Sequence, residues 1–338
     1  MEALTIQRPK LVDLHFHLGQ SVDPHLLWSI AHEQGIRLPS KNYWDFYNLI
    51  TLNQTHTTWE NYHNLFKLTE LIQSSSQAME RSVYETISGA YRSNNIVLME
   101  PGFCPMFRNR GGERDLDQII LSALHGMEKA LIEFPQVRAG LIFMLDRRLS
   151  FEKNKIIVNK AIKYCRRGVI GIDIAGPNTP SFQYKDYKDL FMEAQKNGLK
   201  TTVHTGEDGT VKEMEQVVSA LPLNRINHGI KSVESASLMK TLVKKNITLC
   251  LCPSSNLKVG FIKDISHLKQ VIQTLWKNQV KFCFNTDSPS MLKTNIINEI
   301  NLIRNNKILK EIQIDQTIRW AFEASFINLN NKNENLYL

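Results

Sequence analysis

Short apolar runs recur along the chain, each closed by Gly, Pro, Asn or Asp and each followed by a longer stretch with helical spacing. Such runs occupy residues 10–18, 95–102, 137–145, 169–175, 199–205, 225–230, 247–252 and 280–284, and their β-branched content and abrupt polar ends predict buried strands. Between them lie segments of crossover-helix length, for example 187–197 and 234–245. This strand–helix alternation predicts an α/β fold, a closed (β/α)8 or TIM barrel whose chemistry collects at the C-terminal ends of the strands. The first gap is different. Asp23-Pro24 is a good helix start, and from there to about residue 94 the spacing stays helical, with Trp44, Phe46, Tyr47, Trp59, Phe66 and Leu68 on the apolar positions. That is too long for one crossover helix and predicts a helical insertion, residues 23–94, capping the active-site mouth. The expected organisation is one domain over residues 1–327, with the Asn-rich stretch 328–338 as a flexible tail.

Composition narrows the class. The 338 residues suffice for a barrel with an insertion, and 42% hydrophobic with 22% charged content is globular. No uncharged apolar run approaches the roughly 18 residues a membrane span needs, so no membrane partner and a cytoplasmic location are expected. The five cysteines (Cys104, Cys165, Cys250, Cys252, Cys283) are odd in number and lie mostly in apolar runs, which suits reduced thiols. Cys250 and Cys252 share a strand face and read as packing, because no second pair completes a thiolate metal site. The net charge of +8 is spread without a block of like charges, which suits a small anionic molecule and weighs against nucleic acid. An oligomer is compatible with the chain.

The polar residues at the strand ends carry the chemistry. His15 and His17, two apart on the first strand, point the same way. His204 ends the fifth strand with Glu207 three residues on, His228 ends the sixth, and Asp287 follows the eighth. Three neutral imidazoles and a carboxylate from His15, His17, His204 and Asp287 would bind one borderline divalent ion such as Zn2+ and leave a position for water, whose pKa the ion lowers. Glu207 is then placed to donate a proton to the substrate, and His228 to orient or deprotonate the attacking water.

In order, spacing and strand placement these motifs resemble the adenosine deaminase family of metal-dependent hydrolases. The resemblance runs from His15-Phe16-His17-Leu18 through Gly171-Ile172-Asp173-Ile174-Ala175-Gly176, His204-Thr205-Gly206-Glu207, His228-Gly229 and Cys252-Pro253-Ser254-Ser255-Asn256 to Asn285-Thr286-Asp287. It implies that His15, His17, His204 and Asp287 ligate zinc or another divalent metal. It also implies that Glu207 protonates purine N1, that His228 is the base beside the water, and that the Gly176 backbone donates to purine N3. Attack at C6 with loss of ammonia would convert an adenine nucleoside or its 5′-monophosphate to the inosine product. The alternatives are another modified aminopurine as substrate, or a non-catalytic nucleotide-binding subunit of a larger assembly. A two-metal hydrolase is disfavoured, because the fourth strand has no lysine to bridge the ions, and the His-x-Glu and Pro-Cys-x-x-Cys pattern of the other zinc deaminases is absent.

Four departures from the family pattern bear on substrate. Gly19 stands where nucleoside deaminases usually carry an Asp near the ribose 5′-hydroxyl, which removes a repulsion against a 5′-phosphate. Ser288 replaces the acidic residue that bonds N7, Pro177-Asn178 replaces an acidic pair, and Gly102 stands where an Arg is common. By predicted loop position the nearest cations for a phosphate are Arg108, Arg110, Arg147, Arg148 and Lys258.

Overall fold

The computed structural model describes residues 9–52, 59–109, 116–179 and 181–328. Residues 1–8, the expected tail beyond 328 and the phosphate candidate Arg110 lie outside these. The chain forms the expected ring of parallel strands: β1 Leu11–His17, β2 Ile96–Phe103, β3 in two pieces (Arg138–Ala139 and Leu141–Asp146), β4 Val169–Ala175, β5 in two pieces (Lys200–Thr201 and His204–Thr205), β6 Arg225–His228, β7 Thr248–Leu251 and β8 Phe282–Phe284. Their near-continuous burial matches the unalternating apolar runs of the sequence, as strands covered on both faces require.

Two features of the ring place the site. The chain changes partner within β5: Lys200 and Thr201 pair with Gly171 and Ile172 of β4, whereas His204 and Thr205 pair with Asn227 and His228 of β6. The ring then closes between β8 and β1 through a parallel bridge from Phe16 to Asp287. Here the His17 amide donates to the Asp287 carbonyl at 2.7 Å and the Asp287 amide to the His15 carbonyl at 2.9 Å. The seam of the barrel therefore runs through three of the residues expected to hold a metal.

Four helices follow β1: α1 Pro24–Glu33, α2 Tyr43–Ile50, α3 Trp59–Ile72 and α4 Ser76–Asn94. The Asp23 carboxylate accepts from the His25 amide at 2.8 Å, capping α1 with Pro24 in its first turn. α1, α2 and the end of α3 share a small core of Leu27, Ile30, Phe46, Ile50 and Ile72, separate from that of the barrel. α4 departs from the expectation for residues 23–94. Its stripe Met79, Val83 and Ile87 lies in the barrel's own core with Ile119, Ile120 and Ala123 of the helix Asp117–Glu133. It is the crossover helix into β2, which leaves α1 to α3 as the part of the segment that packs outside the barrel's core. An apolar stripe at helical spacing looks the same in sequence whichever core it joins. Among the described residues no helix is long and apolar enough to cross a membrane.

At the N-terminal end of the strands the barrel is plugged. Arg225, at the start of β6, pairs with Glu100 of β2 at 2.6 Å, and both side chains are fully buried. The same carboxylate accepts from the Ser325 hydroxyl and the Phe326 amide, while the guanidinium stacks on the Phe326 ring at 3.7 Å. All five cysteines are free thiols, as expected.

Candidate active site

At the opposite end, the strand register brings His15, His17, His204 and Asp287 together at the barrel axis, β5 reaching across from the far side of the ring to the β1–β8 seam. His15 Nε2 lies 3.0 Å from His204 Nε2, which lies 3.3 Å from His17 Nε2. Asp287 Oδ1 is 3.1 Å from His17 Nε2. For ligand bonds of about 2.0–2.1 Å, two donors on one tetrahedral ion stand roughly 3.3 Å apart, so the separations are those of a single divalent ion's ligands. Burial, reinforced by the neighbouring imidazoles, holds the pKa values of His15 and His204 well below the ordinary histidine value, which leaves them neutral and able to ligate.

The far side of each ring is held by a partner. His204 Nδ1 faces Asp173 Oδ2 at 2.8 Å and the Asn227 amide at 3.3 Å, which directs Nε2 at the cluster. His15 Nδ1 lies 3.3 Å from the Cys252 thiol. Cys252 is thus a ring-orienting neighbour, where the sequence suggested packing alone. Asp287 Oδ2 accepts from Ser255 at 2.5 Å and from Tyr62 at 3.2 Å. Two non-glycine residues here adopt left-handed backbone, His228 at φ 65° and Asp287 at φ 63°. Such conformations cost about 1–3 kcal/mol each and persist where the surrounding structure over-determines them, as the seam hydrogen bonds do for Asp287.

Glu207 and His228 sit beside this cluster, with His228 Nε2 3.2 Å from Glu207 Oε2 and His228 Nδ1 3.3 Å from the Asn256 amide. Burial, then the charges of Asp208 and Asp287, push the Glu207 carboxyl well above its usual range, which favours its acid form. Burial lowers His228, which keeps it a free base. A buried acid and a buried base in contact, with displaced pKa values, can move protons in both directions at one reacting centre.

A cavity beneath α3 opens onto these groups and is lined by Gly19, Gly102, Gly176 and Arg108 among others. Gly176 has φ 84°, and a Cβ there would meet the Asp146 carboxylate at 2.5 Å. Its carbonyl is taken by Arg147, so what it can offer a ligand is its N–H. At Gly19 a Cβ would lie 2.7 Å from Arg108 Nη2, so a buried guanidinium occupies the space a side chain would need.

The remaining sequence candidates divide. Arg108 and Arg148 line the cavity, the latter bound bidentately to Asp146 at 2.7 Å through both nitrogens. Arg147 does not line it: its guanidinium lies beneath the site, donating to the carbonyls of Gly176 and His204 and, at 2.9 Å, to the Tyr184 hydroxyl. Lys258 is turned away onto the Leu292 carbonyl. Ser288 is fully buried behind Asp287, its hydroxyl 3.3 Å from Oδ1 and 3.2 Å from the Tyr62 hydroxyl, and it does not line the cavity. Sequence reasoning missed Tyr62, Asp173 and Asn227. Asp173 carried a signal, an acidic residue inside an apolar strand; Tyr62 carried none, being one aromatic among many on the cap.

Comparison with known proteins agrees with this geometry. The sequence model of the family described as "Adenosine deaminase" matches residues 9–337. The adenosine deaminase of Clostridium kluyveri is 29% identical over 314 residues, which cover 93% of this chain and 88% of that protein. The crystal structure of an adenine deaminase from Arthrobacter aurescens superposes with a TM-score of 0.82 at 18% identity, covering 95% of this chain and 94% of the other. That of an Arabidopsis N6-mAMP deaminase superposes with a TM-score of 0.79 at 22% identity, covering 96% and 95%.

Proposed function

The chain belongs to the adenosine deaminase family and is a hydrolase of C–N bonds, and we propose that it removes the 6-amino group from an adenine nucleoside or its 5′-monophosphate, with zinc held by His15, His17, His204 and Asp287. The observation that carries this reading is the convergence of three imidazole nitrogens and one carboxylate beside the Glu207 carboxyl and the His228 imidazole. When bound, a zinc ion at such a donor set makes water a competent nucleophile near neutral pH. Glu207 donates its proton to ring nitrogen N1, which draws electrons from C6 and opens it to attack. His228 accepts the proton that the attacking water gives up, and the Gly176 N–H fixes the ring through N3. As the C6–N bond breaks, the amino group takes the proton held by His228 and leaves as ammonia, and the new C6 hydroxyl gives its proton back to Glu207, leaving the C6 carbonyl of the inosine product. The buried carboxyl is needed in its acid form, which is the form burial favours.

The monophosphate is the favoured substrate of the two. Gly19 brings no carboxylate to the cavity, and the group that fills its side-chain space is the Arg108 guanidinium, whose counter-ion Glu70 stands 3.8 Å away. Lys67 and Arg148 also line the cavity, the latter paired with Asp146. The named relatives bracket this choice, one being an adenosine deaminase and another an N6-mAMP deaminase. The test is loss of absorbance at the adenine-to-hypoxanthine difference wavelength with adenosine, deoxyadenosine, AMP and dAMP offered in parallel. Turnover of a monophosphate in preference to its nucleoside, cut by about 10²–10⁴ in Glu207→Gln, is expected. Preference for the nucleoside would remove the phosphate, and silence on every substrate with metal bound would remove the deaminase assignment.

A further inference from the structure

One side chain at the centre of the site comes from the cap. Tyr62, on α3, is 3% exposed, and its ring packs with Val259, Met291 and Leu292, residues of the short helices that follow β7 and β8. Its hydroxyl reaches Asp287 Oδ2 at 3.2 Å and Ser288 Oγ at 3.2 Å. Asp287 thus has two dissimilar oxygens. Oδ1 faces His17 Nε2, where the imidazoles converge, while Oδ2 is held by two hydroxyls, Ser255 from the barrel and Tyr62 from the cap. The other end of α3 is tied to the first strand's loop, with Gln73 Nε2 donating to the Gly19 carbonyl at 3.0 Å and Gln20 Nε2 to the Thr69 hydroxyl at 3.2 Å. The cavity lies beneath the helix, between these attachments. Seating α3 therefore also sets the orientation of the Asp287 carboxylate.

We propose that Tyr62 is a positioning residue that couples closure of the cap to the Asp287 ligand, so that the protein holds its metal more tightly with the cap seated over a bound purine than with the cap open. The left-handed backbone at Asp287 gives this bond a task, because the side chain leaves a strained residue and needs donors to fix which oxygen turns inward. The Ser288 hydroxyl, placed between Tyr62 and Asp287 Oδ1, completes the link. The inference rests on the reading of His15, His17, His204 and Asp287 as metal ligands, and extends it to a residue outside the barrel.

The experiment is zinc transfer from the full-length protein to a chromogenic chelator, measured with and without inosine monophosphate for the wild type and for Tyr62→Phe, which keeps the ring and its packing. The wild type is expected to release zinc more slowly when the nucleotide is present. Tyr62→Phe is expected to bind zinc about 10-fold more weakly and to lose the nucleotide's protection, with an unchanged circular dichroism spectrum. Its kcat should fall more than its KM rises, since a purely structural role would not divide the effect in this way. Equal zinc affinity and equal protection in the two proteins would overturn the proposal while leaving the metal site standing. A wild type that takes up no zinc would overturn both. Should Tyr62→Phe fold poorly, Ser288→Ala, which removes the hydroxyl that links Tyr62 to Oδ1, is expected to weaken the nucleotide's protection, and full protection in that variant would also count against the coupling.

Discussion

The two ends of the barrel bury charge in opposite ways. At the floor, Arg225 and Glu100 are a matched pair of charges 2.6 Å apart, with further hydrogen bonds to Leu14, Ala324, Ser325 and Phe326. Everything needed to neutralise the charges belongs to the chain. At the mouth, imidazole nitrogens that bear lone pairs face one another at 3.0 and 3.3 Å, and the partners that would satisfy them are on the wrong side of each ring. Buried polar groups gathered without mutual satisfaction are costly. The floor's charges are matched within the chain and serve the fold, whereas the mouth gathers donors suited to a cation and is arranged for chemistry.

That contrast can be broken most severely at the mouth. Replacing His204 with Ala should abolish both metal uptake and turnover, read by metal analysis and ammonia release, while circular dichroism shows the fold retained. Glu207→Gln should keep the metal and lose about 10²–10⁴ in kcat, because it retains the shape of the acid but has no proton to give up. At the floor the currency is stability. Glu100→Gln leaves the buried Arg225 charge uncompensated and should cost about 3–5 kcal/mol in denaturant unfolding, with zinc affinity unchanged. Loss of metal affinity in that variant would mean that the two ends are not independent.

Smaller effects sharpen the comparison. With the Glu207 carboxyl raised well above its usual range and needed in its acid form, kcat/KM should be sustained below that raised value and fall as pH climbs through it. With His228 lowered and needed as the base, the acidic limb should lie below the ordinary histidine value. A profile in which activity is lost as pH rises through the usual carboxylate range would contradict the roles. Least of all, Arg108→Gln should reduce the preference for AMP over adenosine by about 10-fold, the scale of one charge-assisted hydrogen bond, with kcat on adenosine little changed.

How much of this could be read from residues alone depended on whether a residue's partner was implied by local geometry. Two histidines at i and i+2 on a strand must share a face, and a polar residue that ends a barrel strand must lie at the mouth, so His15, His17, His204, His228 and Asp287 were legible. Tyr62, Ser288 and Arg147 were not, because their partners are set by how the cap and loops fold back over the ring. Arg147 lies next to Arg148 in sequence, yet one clamps two carbonyls below the site while the other lines the cavity, a division that depends on which side of the loop each side chain leaves. The boundary of the cap was hidden likewise, since the stripe of α4 could serve either core.

The most direct test of the account is a titration of metal-free protein with zinc, in which bound metal and deamination of AMP are followed together. The account predicts that activity rises in proportion to bound metal and stops rising at one ion per chain. Full activity in the metal-free protein, or one tightly bound ion with no turnover of any adenine nucleoside or nucleotide, would contradict it.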